Sequence, residues 1–455
     1  MSLDLASLEA RLLAPLPDLS QLSAEEQLAY IEEKAAQGES IVTKAQLLGR
    51  LKDAKKTGRP LRFKLGIDPT AHEIHLGHAI SLINLRRIHR MGHAIDLIFG
   101  DFTAMVGDPG GRMDERPALT AEDVKRNVET YERQAGRVLD LKAVRVKIHY
   151  NSAWLGPLSL SDWLKLTKGI GVSQLLQRED FRKRLDAGAP LSLAEAEYAL
   201  LMGYDSVKLD SDVEVGGMDQ FLNFHFCRDM MAAAGQVPES FVCFDLLPGT
   251  TGERDEEGRL RKMSKSRGNF VAVEAAPEEK YGKVMSVPDE VMWVWYRGLT
   301  EIRTGELAEL KAEVESGRLH PKEAKRLLAR TVVATFHGYD RAVVAGAQAA
   351  FDQKFGASKV LVPEDTKTLP FDPASKLLDV LREASGRSGA QLRGAVEQGG
   401  VSSLKGGAYQ PVLPEHLALL SGAFFAAHGN VIKIGKKGYY CFISGFEKGD
   451  PISEF

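Results

Sequence analysis

From about Leu61 onward, short apolar runs alternate with longer stretches whose apolar residues recur every three or four positions. The runs Leu61–Ile67, Ala94–Phe99 and Val144–Ile148 read as strands, with amphipathic helices between them. Such alternation predicts an α/β fold, a parallel sheet covered by crossover helices. A sheet of this kind takes ligands beyond the carboxyl ends of its strands, near the point where strand order reverses. Upstream, residues 1–38 are rich in Leu, Ala and Glu and read as a helical lead-in. Between about Ala276 and Gln353 the strand signals fade and helices dominate. Pro363, Pro370 and Pro373 then mark a linker, and a small unit of helix and strand follows Ser375. The expected order is a lead-in (1–38), a parallel-sheet domain (39–270), a helical domain (271–355), a linker (356–374) and a small α+β domain (375–446).

Composition narrows this picture only a little. At 455 residues the chain exceeds one core, and its 44% hydrophobic and 27% charged content is that of an ordinary globular protein. No run approaches the ~18 apolar residues that span a bilayer. The start Met1-Ser2-Leu3-Asp4-Leu5 lacks the basic opening of a signal peptide. A cytoplasmic protein with no membrane partner is expected. Three cysteines, Cys227, Cys243 and Cys441, have no CxxC spacing and argue against structural zinc. The net charge of −3 gives no general pull towards nucleic acid, so any RNA contact has to come from local basic patches.

Two short strings carry the chemistry. His75-Leu76-Gly77-His78 follows a strand and turn, Phe63 to Thr70, and opens a helix. Its two imidazoles lie on one side of the first turn, where the helix N-terminus favours phosphate. Gly77 leaves room for a flat purine to approach the backbone. Lys262-Met263-Ser264-Lys265-Ser266 sits in a polar, Gly- and Arg-rich loop. Ammonium groups on such a loop can close on departing phosphates, where charge develops in the transition state. His72 adds a third histidine at the same spacing. A rise of roughly 9 Å from His72 to His78 keeps the three from sharing one ion, so no protein-held metal is expected. Tyr198, Met202 and Asp205 share one face of a later helix.

In order along the chain stand GxDPTxxxxHLGH, GDPGGRxxxR, YxxxMxYD, GGxDQ and KMSKS. Together they resemble the bacterial tyrosyl-tRNA synthetases, class I enzymes, over about Leu61–Gly338 and more weakly to Ile443. The resemblance implies a Rossmann-like catalytic domain, an α-helical domain that meets the anticodon stem, and an S4-like RNA-binding C-terminal domain. It implies ATP with Mg²⁺ carried by the nucleotide, L-tyrosine and tRNA(Tyr) as partners, and a homodimer. Asp68 and Thr70 fall where the family contacts adenylate and ATP, and His75 and His78 on the phosphates. Gly77, Met263 and Ser264 stand beside the nucleotide, and Ser81 near the ribose. Asp108 falls near the substrate amino group. Arg112 and Arg116 fall on a mobile loop that reaches pyrophosphate, as Lys262 and Lys265 do. Tyr198 would meet the amino group, Asp205 the phenol and Gln220 the reacting carboxylate. A buried carboxylate such as Asp205 rejects phenylalanine because it would be left unpaired, by a factor on the order of 10⁴ to 10⁵, for which this enzyme family is itself the reference example.

Three positions depart from the family pattern. Lys64 stands where many members have a tyrosine touching the substrate hydroxyl. Met202 replaces a glutamine at the amino group, and Met218 a small hydroxyl residue in GGxDQ. Two readings follow: a synthetase with compensating contacts, or a paralogue activating a modified or β-amino tyrosine without charging tRNA. A small-molecule nucleotidyltransferase shares HxGH but needs no helical or S4-like part. Lys322, Lys325, Arg326 and Arg330 form a basic strip on one helix. Leu392, Arg393, Gly399, Gly400 and Val401 support the S4-like resemblance, in which the pair Lys436-Lys437 suits phosphate contact.

Overall fold

The computed structural model describes residues 3–107, 119–255, 257–355, 366–405, 408–435 and 438–444. Packing divides the chain into two compact units, Met1–Gln348 and Ala349–Phe455. Residues on both sides of the border expected near 270 lie in the first unit.

The first unit is built on six strands: β1 (Ile41–Val42), β2 (Arg62–Ile67), β3 (Ala94–Phe99), β4 (Val146–Tyr150), β5 (Val213–Gly217) and β6 (Ser240–Phe244). Their order in the sheet is β1-β6-β5-β2-β3-β4. Every pair is parallel except β1 with β6. Strand order reverses between β2 and β5, which opens a crevice above their carboxyl ends. β3, β5 and β6 are buried almost throughout, as expected where helices cover both faces.

Two of the expected strands match closely, and the third is displaced. Val144 is 80% exposed and Arg145 takes a left-handed φ of 72°, so the chain is still turning there. The strand begins only at Val146. Three helices matter most for the site. Leu76–Arg90 follows β2, Leu193–Leu209 precedes β5, and Phe221–Ala233 follows β5. In the helical stretch Met292, Trp295 and Tyr296 are fully buried in the core, while Trp293 between them is half-buried. The basic strip is mostly neutralised: Lys325 pairs with Asp289 at 2.6 Å, Arg326 with Glu323 at 3.6 Å and Arg330 with Glu9 at 2.8 Å.

The second unit is a five-stranded sheet in the order β7-β11-β10-β8-β9. Its strands are β7 (Lys367–Phe371), β8 (Val401–Lys405), β9 (Ala408–Pro411), β10 (Val431–Ile434) and β11 (Gly438–Ser444). Helices Leu377–Ser385, Gly389–Glu397 and Ser421–His428 cover one face, burying Leu381, Leu392, Phe424 and Ile432 with Val401. Lys436 and Lys437 lie outside the described residues.

Candidate active site

A cavity of about 250 Å³ opens in the crevice between β2 and β5. Lys64, Asp68, Thr70, His78, Ser81, Tyr198, Met202, Asp205, Gln220 and Lys262 line it. Ten of the residues singled out in the sequence therefore meet in one place. Asp108, Arg112 and Arg116 lie outside the described residues.

One end of the cavity is closed and buried. Asp205, 5% exposed, projects from the Leu193–Leu209 helix. It accepts hydrogen bonds from the Trp154 indole at 2.7 Å and the Asn151 amide at 3.3 Å. Burial pushes its carboxyl up to about 6, while Lys64 and these donors pull the other way. A carboxylate so placed is an acceptor waiting for a donor. Tyr198, about two turns earlier, donates its hydroxyl to Asp68 at 2.9 Å. Asp68 also accepts from Thr103 at 2.7 Å. A β-carbon on Gly100 would lie 2.1 Å from that Asp68 oxygen, so only glycine admits the aspartate there. Gln220 accepts from the Asn223 amide at 2.7 Å, and Arg178 in turn donates to Asn223 at 2.7 Å.

The other end is more exposed, with His78 and Lys262 in its lining and His75 buried behind them. His75 caps the Leu76–Arg90 helix, and its ring stacks on His78 with centroids 3.8 Å apart. Burial and the neighbouring positive groups push His75 down to about 2, which favours the neutral imidazole. His78 is exposed to the cavity. The space left by Gly77 is taken by protein: a β-carbon there would sit 2.9 Å from the His75 ring and 3.5 Å from Met263. The two motifs are neighbours. An antiparallel bridge joins His75 to Ala272, and Leu76 N–H donates to the Val271 carbonyl at 2.9 Å. Met263 is buried and its N–H bonds Leu247. Ser264 N–H donates to the Asn269 side chain at 2.8 Å. Lys262 reaches Asp219 at 2.9 Å, and Lys265 donates to the Glu73 carbonyl.

Two of the three unusual positions behave differently from a substrate contact. Met218 is absent from the cavity lining and packs beside the buried cluster of Phe224, Cys227, Phe241 and Cys243. Lys64 lines the cavity but its ammonium is 2.9 Å from Glu214. Met202 both lines the cavity and touches Asn223 at 3.8 Å.

Sequence reasoning missed several positioning residues. Asn151 and Trp154 lie just after β4, and only the order of strands brings them to Asp205. Gln134 accepts from Ile74 N–H at 2.6 Å and donates to the His72 carbonyl at 2.8 Å, holding the turn before the histidines. Asn127 donates its amide to the Pro69 carbonyl at 2.8 Å. None of these has a local motif that would have announced it.

A family model described as tRNA synthetases class I (W and Y) matches residues 55–355. The chain belongs to that family. Among curated relatives, a tyrosine–tRNA ligase of Desulfotalea psychrophila is 36% identical over 419 residues, 91% of this chain and 97% of that one. One of Haemophilus influenzae is 40% identical over 364 residues, 80% of this chain and 86% of its own. Solved structures agree in fold. A C-terminally truncated mitochondrial tyrosyl-tRNA synthetase of Aspergillus nidulans superposes with TM-score 0.58 at 18% identity, covering 77% of this chain and 100% of that one. The tyrosyl-tRNA synthetase of Archaeoglobus fulgidus, solved with L-tyrosine, gives 0.55 at 21% identity, with 71% and 100% covered.

Proposed function

We infer that the protein is a tyrosine–tRNA ligase of class I. The observation that carries this is Asp205, a buried carboxylate held by two donors at the closed end of the cavity, in a chain whose relatives bear that name. A phenol hydroxyl fits such an acceptor as a third donor, and phenylalanine would bury the carboxylate without it. Tyr198 and Asp68 stand ready for the α-amino group, and Gln220 for the carboxylate.

The reaction follows from this placement. The tyrosine carboxylate attacks the α-phosphorus of ATP, the α–β bridging bond breaks, and pyrophosphate leaves with the electron pair. His75 and His78 donate to phosphate oxygens, and Lys262 and Lys265 turn from their present partners to the developing charge. Magnesium enters with the nucleotide as part of the substrate. A hydroxyl of the tRNA terminal adenosine then attacks the tyrosyl carbonyl and releases AMP. Positioning and charge stabilisation suffice, and no protein nucleophile takes part.

The partners are ATP, L-tyrosine and tRNA(Tyr), and the active form is a homodimer in the cytoplasm. Leu160, Leu164, Val172 and Leu193 are 58–74% exposed on the segment before and at the start of the Leu193–Leu209 helix, which supports a second copy covering them. Among the described residues no helix is long and apolar enough to cross a membrane. The same reading assigns a Rossmann-like body, a helical part for the anticodon stem, and an S4-like tail for RNA.

The test is amino-acid-dependent ATP–pyrophosphate exchange followed by charging of tRNA(Tyr). Exchange led by tyrosine, with charging, is expected. Exchange only with a β-amino or ring-modified tyrosine, without charging, would replace this reading with that of a paralogue.

A further inference from the structure

Beneath the closed end of the cavity lies a group of charges that the reaction itself does not use. Lys64 on β2 and Glu214 on β5 are direct partners on adjacent strands. The Lys64 ammonium is 2.9 Å from Glu214 and 3.7 Å from Glu239, which immediately precedes β6. All three side chains are at most 2% exposed. Ser206, the residue after Asp205, accepts from Lys64 and donates to Glu239 at 2.8 Å. Ser211 donates to the other Glu239 oxygen. The Cys227 thiol lies within 4.8 Å of both carboxylates. This is a socket with one ammonium inside it, and Lys64 and Glu214 also line the cavity.

We propose that this socket makes Lys64 a positioning residue for Asp205, fixing a positive charge behind it so that the carboxylate stays ionised and ready for the substrate phenol. The inference rests on the tyrosine reading above.

The surroundings of Asp205 leave little else to do this. Its donors Trp154 and Asn151 are neutral, and Asp101, at the carboxyl end of β3, is a second negative group that opposes ionisation. Glu214 and Glu239 add further negative charge from the β5 and β6 side, and Asp68 adds it from the end of β2. Among the described residues, Lys64 is the cation that most favours the ionised form of Asp205. An ammonium in a dry site would ordinarily lose its proton. Burial pulls Lys64 down, but Glu214 and Glu239 more than offset this and hold it above the usual lysine range. Burial and the neighbouring Glu239 hold Glu214 well above the usual carboxylate range despite Lys64. Ser206, which takes the Lys64 ammonium, is the residue next to Asp205, and Lys64 and Asp205 line the same cavity. A tyrosine at position 64 would offer a hydroxyl to the substrate directly. A lysine offers charge at one remove.

The experiment is tyrosine binding without ATP, by equilibrium dialysis from pH 5 to 8, on the full-length protein. Lys64→Met together with Glu214→Gln removes the ammonium and its direct partner. The pH at which tyrosine affinity falls by half should rise by about one unit or more, as expected when a carboxylate loses a neighbouring cation. Glu214→Gln alone keeps the ammonium and should leave that midpoint in place. A folded double variant with an unmoved midpoint would overturn the proposal. So would an equal rise in Glu214→Gln alone, which would point to loosened packing. If the double variant does not fold, adding Glu239→Gln empties the socket of charge and carries the same expectation. Tyrosine-dependent exchange by the unaltered protein is measured first: its absence would sink the functional reading, whereas a wrong midpoint sinks only the role of Lys64.

Discussion

The two ends of the cavity are built in opposite ways. The closed end is buried and finished: Asp205 is 5% exposed and already holds two donors, and Lys64 beneath it is 1% exposed. The open end is provisional. Lys262 and Asp219 meet with side chains 53% and 35% exposed, a pairing worth about 0–1 kcal/mol in water. Such a contact is easily exchanged for a phosphate. Selection among amino acids needs a rigid acceptor whose empty state is costly. Stabilising a leaving group needs cations that arrive when the charge does. The difference in burial follows from those two tasks.

The comparison can be broken at each end. The largest effect is expected from Asp205→Ala: the preference for tyrosine over phenylalanine in pyrophosphate exchange should fall by a factor on the order of 10³ or more, because the group that rejects phenylalanine is gone. Unchanged discrimination would place the selector elsewhere. At the open end, Lys265→Ala should lower the exchange rate by about 10²-fold while tyrosine binding without ATP stays as it was. A matching loss of tyrosine affinity would mean the two ends are not separable.

Gly77→Ala tests the joint between the motifs. Its β-carbon meets the His75 ring at 2.9 Å, so the histidine or the loop has to shift. Overpacking of this kind costs about 1–3 kcal/mol. A fall in exchange rate of roughly tenfold or more is expected, and a variant as active as the parent would show that the His75 ring moves freely.

The pH dependence of binding is smaller. Asp205 is raised from the ordinary carboxylate range to about 6. The folded protein therefore holds this proton more tightly than the unfolded chain does. Its ionisation costs stability as pH rises from about 4 through about 6, and bound tyrosine offsets that cost. Tyrosine affinity should weaken about tenfold between pH 7 and pH 5. Affinity flat over that interval would mean Asp205 is ionised throughout. The smallest change belongs to Asp219→Asn, which frees Lys262 and should alter the apparent KM for ATP by only a few-fold.

Much of this was legible in the sequence, for a physical reason. HxGH, KMSKS and the Tyr198–Asp205 face are local patterns, and the alternation of strand and helix already implied a crevice where such patterns meet. The strand Ala94–Phe99 is legible to the residue because its apolar run ends at Gly100. Val144 misled because an apolar residue in an exposed turn looks like the start of a strand. Lys64 was legible as unusual but not as buried. Its partner Glu239 lies far along the chain, and only the neighbouring of β2, β5 and β6 brings them together. Met218 looked like a pocket residue from its place in GGxDQ. The 3₁₀ turn that starts there carries its side chain towards an apolar cluster instead.

The most direct test is a calorimetric titration of the ATP-free protein at pH 7.5 with tyrosine and, separately, with phenylalanine. A closed end that is complete in advance predicts saturable binding of tyrosine and no measurable binding of phenylalanine, before any nucleotide is present. Equal binding of the two, or tyrosine binding that appears only once ATP is added, would contradict it.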